Sequence, residues 1–394
     1  MTDYTALATQ LAAKILPGAA QRDADRALPY EQMEWVRQSG LAAARVPVEL
    51  GGGDISQVDV ARIFIILSKA DPCVAQALFP HFATVEHLRL IANPEQQVRY
   101  LGAFAHHKLS SGAIAERSGT FRGEIHTRLE RRGEQLILNG SKFYSTGCLF
   151  ADLLKIQAVD EHGQALYVML PANTPGVTLL NDWDGMGQRT TASGSTLLEN
   201  VLVAPDQVIP LSEWYQRRNY IGASAQLIHC SIDIGIGLAA LEDAVLWART
   251  GTRPVRESGV QRATDDPYIL HTIGDIAASI HGAEALVEKA AIAVDHAARS
   301  QLQRLLQEDE LQALLANASI EVAKAKIAST RASLHACERL YDIGGAATTQ
   351  SRYNFDRHWR NARTHTTHDA LAYKYKAIGE YLLNGRHPPI AFTY

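Results

Sequence analysis

Leu129–Gly147 reads LERRGEQLILNGSKFYSTG. An Asn-Gly pair sits between β-favouring runs, the strongest short signal for a tight hairpin turn. The stretch therefore predicts strand, turn, strand, with the turn at Asn139-Gly140. Working outward, the same grammar continues. Leu109–Ala115, Leu136–Leu138, Leu153–Val159, Ala165–Leu170, Gly176–Leu180 and Ser195–Val203 are short apolar runs separated by Gly, Asn, Asp and Pro. They predict a compact β-barrel domain over 109–212. Asp182–Ser195 (DWDGMGQRTTASGS) reads as a loop rich in hydrogen-bonding groups.

Upstream, residues 1–108 are helical in pattern. Apolar residues return at three and four, as in Leu7, Leu11, Ala12 and Ile15, then Met33, Val36 and Leu41. Pro47–Gly53 (PVELGGG) breaks the pattern, and Val58–Ala70 predicts a buried helix. Downstream, 213–394 predicts a four-helix bundle with helices over Leu227–Ala248, Tyr268–Ser300 and Leu302–Leu340. GTRPVRESG is the clear break, and the charged QEDE at 307–310 is a weaker one. Gly235-x-Gly237-x-x-Ala240 imitates a dinucleotide fingerprint. No glycine-terminated strand precedes it and no βαβ unit surrounds it, so its small residues are assigned to close helix packing. The fold class is α+β: helices, then strands, then helices. That order excludes a doubly wound sheet and a TIM barrel.

Bulk properties narrow the function. The chain has 394 residues, 46% of them apolar and 20% charged, with a net charge of −4. Nucleic acid and membrane surfaces are not the partners this charge favours. Cys73, Cys148, Cys230 and Cys337 lie far apart with no CxxC pair, which fits a reducing compartment. The N-terminal run lacks the plan of a signal peptide, and no uncharged apolar run reaches membrane-spanning length. A cytoplasmic location is the expectation.

Chemistry concentrates in Asp356–Asp369, DRHWRNARTHTTHD. Arg357, Arg360 and Arg363 recur every three residues and share one helical face. His365 and His368 are also three apart, with Asp369 beside them. Taken alone, the run also reads as a charged helix surface paired with acidic neighbours. A metal held by the two histidines has no cysteine or glutamate cluster nearby to complete it. His81, in LFPHF, reads either as a satisfied core histidine or as a functional one.

The three-part order and its motifs resemble the acyl-CoA dehydrogenase superfamily. LNGSKFYST (138–146), MGQRTTASGSTLLENVLVAPDQVI (186–209) and IGGAATTQSRYNFDRHWRNAR (343–363) are similar to that family's conserved runs. The position of the dehydrogenase glutamate carries Asp369, followed by Ala370 instead of glycine. RNARTHTTHD is instead similar to the flavin-dependent monooxygenase branch, which includes dibenzothiophene monooxygenase and alkyl-sulfone sulfur-acquisition enzymes. The resemblance implies a two-component monooxygenase. It would take reduced FMN from a separate NAD(P)H-dependent flavin reductase, form a C4a-hydroperoxide with O2, and oxygenate a small, organosulfur substrate.

By the same resemblance His368 is the catalytic base and Thr146 bonds the flavin near N5. Tyr144, Ser145, Ser193, His365 and Asp369 face the flavin, Gly344 and Gly345 mark a close backbone approach, and Arg253 (or Arg352) holds the phosphate. His81 is a substrate-pocket catalytic residue, with Val85, Gly112 and Trp183 around it. A homotetramer with flavin between subunits is implied. An FAD-dependent acyl-CoA dehydrogenase, or an N-oxygenase or hydroxylase on the same scaffold, remains the alternative. Histidine suits the oxygenase because it exchanges protons near neutrality. A dehydrogenase needs a carboxylate placed to within about an ångström, and an aspartate is one methylene short.

Overall fold

A computed structural model describes residues 2–121, 123–211 and 214–394. The expected boundary at 212/213 lies outside the described residues. Six helices come first: α1 (Tyr4–Ile15), α2 (Ala19–Asp25), α3 (Tyr30–Ser39), α4 (Gln57–Ala70), α5 (Pro72–Ile91) and α6 (Pro94–Ala105). Their starts follow side-chain chemistry. Asp71 accepts hydrogen bonds from the Cys73 and Val74 N–H groups and precedes Pro72 at the first helical position. Asn93 and Gln96 close a reciprocal capping box on α6.

Eight strands follow: β1 (Ser110–Ala113), β2 (Arg128–Arg132), β3 (Gln135–Lys142), β4 (Leu153–Val159), β5 (Ala165–Pro171), β6 (Val177–Leu179), β7 (Thr196–Val203) and β8 (Val208–Pro210). The ladder runs β6-β7-β3-β2-β4-β5-β8, with β1 added to β4. β1 and β2 share one edge of β4, β1 at Leu153–Ile156 and β2 at Val159. Among the described residues β6 and β8 are not paired with each other, so the ladder is open where a closed barrel was expected.

The hairpin turn also moves. β2 and β3 reverse at Gly133, whose φ is 63°, and Asn139-Gly140 lies inside β3. There the pairing with β7 shifts register between Leu138 and Gly140. A Cβ on Gly140 would come within 2.3 Å of Thr127, so the glycine serves a bulge and a close approach.

The C-terminal helices are α7 (Ile221–Thr250), α8 (Pro267–Leu302), α9 (Glu308–Gly344), α10 (Asp356–His365) and α11 (Leu371–Asn384). The second break falls at 303–307, just ahead of where it was expected: α8 ends at Leu302, and Glu308, Asp309 and Glu310 of the charged run form the first turn of α9. α7 is long and apolar enough to cross a bilayer by length and composition, although Asp233, Glu242 and Asp243 interrupt its uncharged run. It is 83% buried over that window, and α4, α5, α8, α9 and α10 all pack on it. It is the central helix of the core. Gly235 and Gly237 are packing residues, as expected. A Cβ on Gly235 would meet Ser68 of α4 at 1.8 Å, and one on Gly237 would meet Ile280 of α8 at 2.4 Å.

Strand alternation builds the wall of the cleft. Leu154, Ile156 and Ala158 of β4 join Leu166, Val168 and Leu170 of β5 in the sheet's own core. With a period of two, Lys155 and Gln157 point to the opposite face. There they stand opposite Met169 and Tyr167. Tyr167 and Met169 pack on Val85 and Leu88 of α5. The sheet and the bundle thus grip α5 from two sides, and a cleft opens along it.

Candidate active site

The cleft holds about 1240 Å³ and is walled by α5, β4, β5, the loops after β3 and before β7, α10 and the final residues 389–394. That exceeds the roughly 300–1,000 Å³ of an ordinary small-molecule site. It has room for a planar cofactor and a substrate together.

Hydroxyls line one side. Thr146 Oγ1 lies 2.7 Å from Ser193 Oγ, which lies 2.7 Å from Thr191 Oγ1, which donates to the Gln188 carbonyl at 3.0 Å. Tyr144, Gln188 and Ala192, with φ of 56°, 51° and 50°, all sit in the two loops that carry this ladder. Each such non-glycine residue costs on the order of 1–3 kcal/mol, the kind of strain found at ligand sites. Trp183 donates from Nε1 to the Gln188 carbonyl at 2.8 Å and meets the Tyr144 ring edge-on at 5.9 Å. The loop is pinned to α10: Gly187 N–H donates to Thr364 Oγ1 at 3.1 Å and Gln188 N–H to Asn361 Oδ1 at 2.6 Å. A Cβ on Gly187 would sit 1.9 Å from the Arg360 carbonyl. Both ends of the Gln188 amide and Gln76 Oε1 are buried on the cleft without a hydrogen-bond partner among the described residues. A bound group with donors and acceptors along its edge, as a flavin ring has, would satisfy them. The site fits the cofactor that the sequence implies.

Opposite the ladder lies a cluster of three imidazoles. Asp233 Oδ1 and His365 Nδ1 are 2.5 Å apart, and His365 Nε2 is 3.0 Å from His229 Nδ1. Asp233 is fully buried and also accepts from Lys326 Nζ at 2.9 Å. Burial opposes the Asp233 charge, but Lys326 and His365 outweigh it and lower its pKa. Burial lowers the pKa of His365 and takes that of His229 well below its usual value. With both neutral, the network assigns the protons. His365 donates from Nδ1 to Asp233 and accepts at Nε2 from His229 Nδ1–H. His229 Nε2 is then a bare lone pair, without a partner among the described residues. The His229 ring lies 4.2 Å from that of His368 and 4.3 Å from Phe79. His368 faces the cleft, its Nδ1 3.2 Å from Asp369 Oδ1. Burial raises the Asp369 pKa, but the His368 bond and the charges of His368, Lys374 and Lys326 prevail and hold it at about 2.

The sequence-derived residues divide among three places: the cleft, the core behind it and the far end of α7. Tyr144, Thr146, Gly112, Trp183, Ser193, His365, His368 and Asp369 all line the cleft. Ser145 lies beneath the wall, its Oγ buried. His81 does not line it. It is 1% exposed, with Nε2 2.8 Å from the Ala42 carbonyl and Nδ1 accepting from Ser110 N–H at 3.1 Å. Burial pushes its pKa to about 4. His81 is a core histidine with both nitrogens used, and the substrate-pocket role expected of it is corrected. Val85 is likewise core, packed against the sheet. The residues of α5 that reach the cleft are Gln76, Phe79, Pro80, Ala83, His87 and Ile91.

Arg253, Gly344 and Gly345 lie outside this chain's cleft. They gather at the far end of α7, where Thr252 donates to the Ile343 carbonyl at 3.0 Å and Trp247 meets Tyr353 edge-on, next to Arg352. The readings that place them on the flavin do not hold for one chain alone.

Sequence reasoning missed His229, Asp233, Lys326 and Lys374, and also His87, Lys155 and Tyr167. One signal was available: a His and an Asp four apart on an otherwise apolar stretch of helix share a face.

Two family models match: acyl-CoA dehydrogenase N-terminal domain over residues 5–108 and C-terminal domain over 227–373. A dibenzothiophene monooxygenase of Rhodococcus qingshengii is 30% identical, covering 99% of this chain and 95% of the relative. A probable FMNH2-dependent monooxygenase of Pseudomonas putida is 28% identical over 98% of this chain and 96% of its own length. The crystal structure of FMN-bound TdsC from Paenibacillus sp. A11-2 superposes with a TM-score of 0.91, at 29% identity over all of both chains.

Proposed function

Because this chain belongs to the acyl-CoA dehydrogenase superfamily, within its flavin-dependent monooxygenase branch, we propose that it uses reduced FMN and O2 to oxygenate a small organosulfur compound. One oxygen atom bonds to a sulfur lone pair as the O–O bond breaks. The other leaves as water, taking two electrons and two protons from the reduced flavin. The bound flavin supplies the oxygen activation, expected to run through a C4a-hydroperoxide. The chain supplies position, dryness and proton control.

The observation that carries this reading is the imidazole cluster on the cleft, with no effective carboxylate base beside it among the described residues. Asp369, the carboxylate in that corner, has a pKa of about 2 and is turned toward His368 and Lys374. A base that weak is far from the neutral value that favours α-proton abstraction. His368 is the group placed to take and return a proton at Nε2, because Asp369 sits on Nδ1. Thr146 offers its hydroxyl to the cofactor edge. His365, fixed by Asp233, holds His229 beneath the His368 ring.

Reductant comes from a separate flavin reductase in this reading, and the functional unit is a homotetramer. In it, Arg253 and Gly344–Gly345 of one copy would meet the hydroxyl ladder of another, which would unite the two loci that one chain keeps apart. Anaerobic titration tests the cofactor: reduced FMN should bind more tightly than oxidised FMN or FAD. With O2 and dibenzothiophene, photoreduced FMN should give a sulfur oxide, and NADH with FMN should not. FAD retained through purification and bleached by an acyl-CoA would contradict the proposal.

A further inference from the structure

The cleft has a second polar end that the chemistry above does not use. Lys155 projects into it from β4, 3% exposed, and Arg218 from the segment before α7, 8% exposed. Neither meets a carboxylate among the described residues. Arg218 donates to the Pro388 carbonyl at 2.6 Å. Lys155 Nζ lies 3.1 Å from His87 Nδ1, but that nitrogen is only 2.6 Å from the Ala83 carbonyl. One ring nitrogen cannot donate to the carbonyl and accept from the ammonium at once. The shorter contact assigns Nδ1–H to Ala83, and Nε2 then accepts from Tyr167 OH at 3.1 Å. The ammonium is left facing a donor, with the Tyr167 ring centroid 4.9 Å away. An ammonium taken from water without an anion or acceptor is among the costliest groups a protein can bury. Its pKa is accordingly pushed down to about 7 by burial, and that of Arg218 is lowered by the same cause.

We infer that this end is the receptor for an oxyanion on the substrate: Lys155 and Arg218 bind a carboxylate or sulfonate head, and the Tyr167–His87 pair fixes its seat. The inference rests on the monooxygenase reading for the chemistry at the other end and adds the class of molecule. Phe79, Ala83 and His87 lie on one face of α5, and eight residues of helix rise about 12 Å. Phe79 packs at a tilt against His229 at the imidazole end, and His87 bonds Tyr167 at the cationic end. The substrate is therefore an elongated organic anion. Its head sits at Lys155, an apolar body runs along α5 beneath Phe392, which stacks over His87, and an oxidisable sulfur lies toward His368.

The test is a matched pair of thioethers, 6-(methylthio)hexanoate and its primary amide, with 6-(methylthio)hexane-1-sulfonate as the second oxyanion. Affinities are measured calorimetrically on the full chain with FMN, without reductant, so binding is read apart from turnover. Both anions should bind at least tenfold more tightly than the amide. Lys155→Met should erase that preference and leave amide and FMN affinities within threefold. It should melt no lower than the wild type, since it replaces an uncompensated charge with an isosteric apolar chain. Lys155→Arg should keep most of the preference. Equal binding of acid and amide by the wild type overturns the inference, as does a preference that survives Lys155→Met. A tenfold loss of FMN affinity in Lys155→Met would also overturn it, assigning the lysine to the cofactor phosphate. If the anions bind through Lys155 but are not oxygenated, the binding site stands and the monooxygenase reading fails. If the amide is bound and oxygenated as well as the acid, the reverse holds.

Discussion

The two ends of the cleft handle buried charge in opposite ways. At the imidazole end each buried carboxylate has its cation before anything binds: Asp233 with Lys326, and Asp369 with Lys374. At the other end Lys155 and Arg218 have none among the described residues. A compensated network is rigid and specifies geometry, which suits a group that must hold a proton in one place. An uncompensated cation costs stability and waits for a ligand. The difference assigns chemistry to the first end and recognition to the second.

The largest effect should come from the chemical end. His368→Ala should fold and bind reduced FMN, yet lose roughly 10²–10⁴-fold in oxygenation, the usual contribution of a positioned acid–base group. Oxygen consumption should persist, with hydrogen peroxide as its product. Coupled oxygenation by the variant at the wild-type rate would erase the distinction between the two ends.

Next is the compensation itself. Asp233→Ala leaves Lys326 buried without its partner and His365 without its acceptor. Removing one member of a buried pair costs about 3–5 kcal/mol, read as a lower midpoint in urea. Lys155→Met, the mirror change at the other end, should not destabilise.

The pH dependence of stability sharpens the same point. His81, His87 and His229 have folded pKa values below the ordinary value of about 6.5, so the unfolded chain binds more protons as pH falls. Stability should fall as pH drops below that value, by up to about 1.4 kcal/mol per pH unit for each histidine, while Lys155, with a folded pKa of about 7, makes it rise further above pH 7. For His81 the loss levels off only near its folded pKa of about 4. A midpoint that is flat between pH 6.5 and 5 would contradict the buried neutral assignments.

The smallest effect separates two histidines of one helix. His81→Gln should cost about 1–3 kcal/mol by leaving Ser110 N–H and the Ala42 carbonyl poorly paired, with turnover changed less than threefold. His87→Gln, on the cleft, should instead change substrate affinity.

These two histidines show how far the sequence could be read. Both lie in one apolar run, six residues apart, so their side chains leave α5 in different directions. Nothing in the run says which side faces the cleft. The contiguous His365, His368 and Asp369 were legible because one short segment carries them. Lys155 was not. Its strand alternates like a half-buried one, and the polar face proved to be the cleft wall, closed over by α5 and the C-terminal residues. The helix–strand–helix order survived intact because it depends on changes of period over many residues. The Asn139-Gly140 turn failed because a local signal was overridden by pairing with β7 and the closeness of Thr127.

The central claim is that an imidazole, with flavin and oxygen, does the chemistry in this cleft. A single turnover with reduced FMN, ¹⁸O₂ and 6-(methylthio)hexanoate or dibenzothiophene tests it most directly. The account predicts one labelled oxygen atom in the sulfur product, at close to one product per reduced flavin, in the wild type, and labelled peroxide in its place in His368→Ala. Sulfur product without label, or bleaching of bound flavin by an acyl-CoA with Asp369 required, would contradict it.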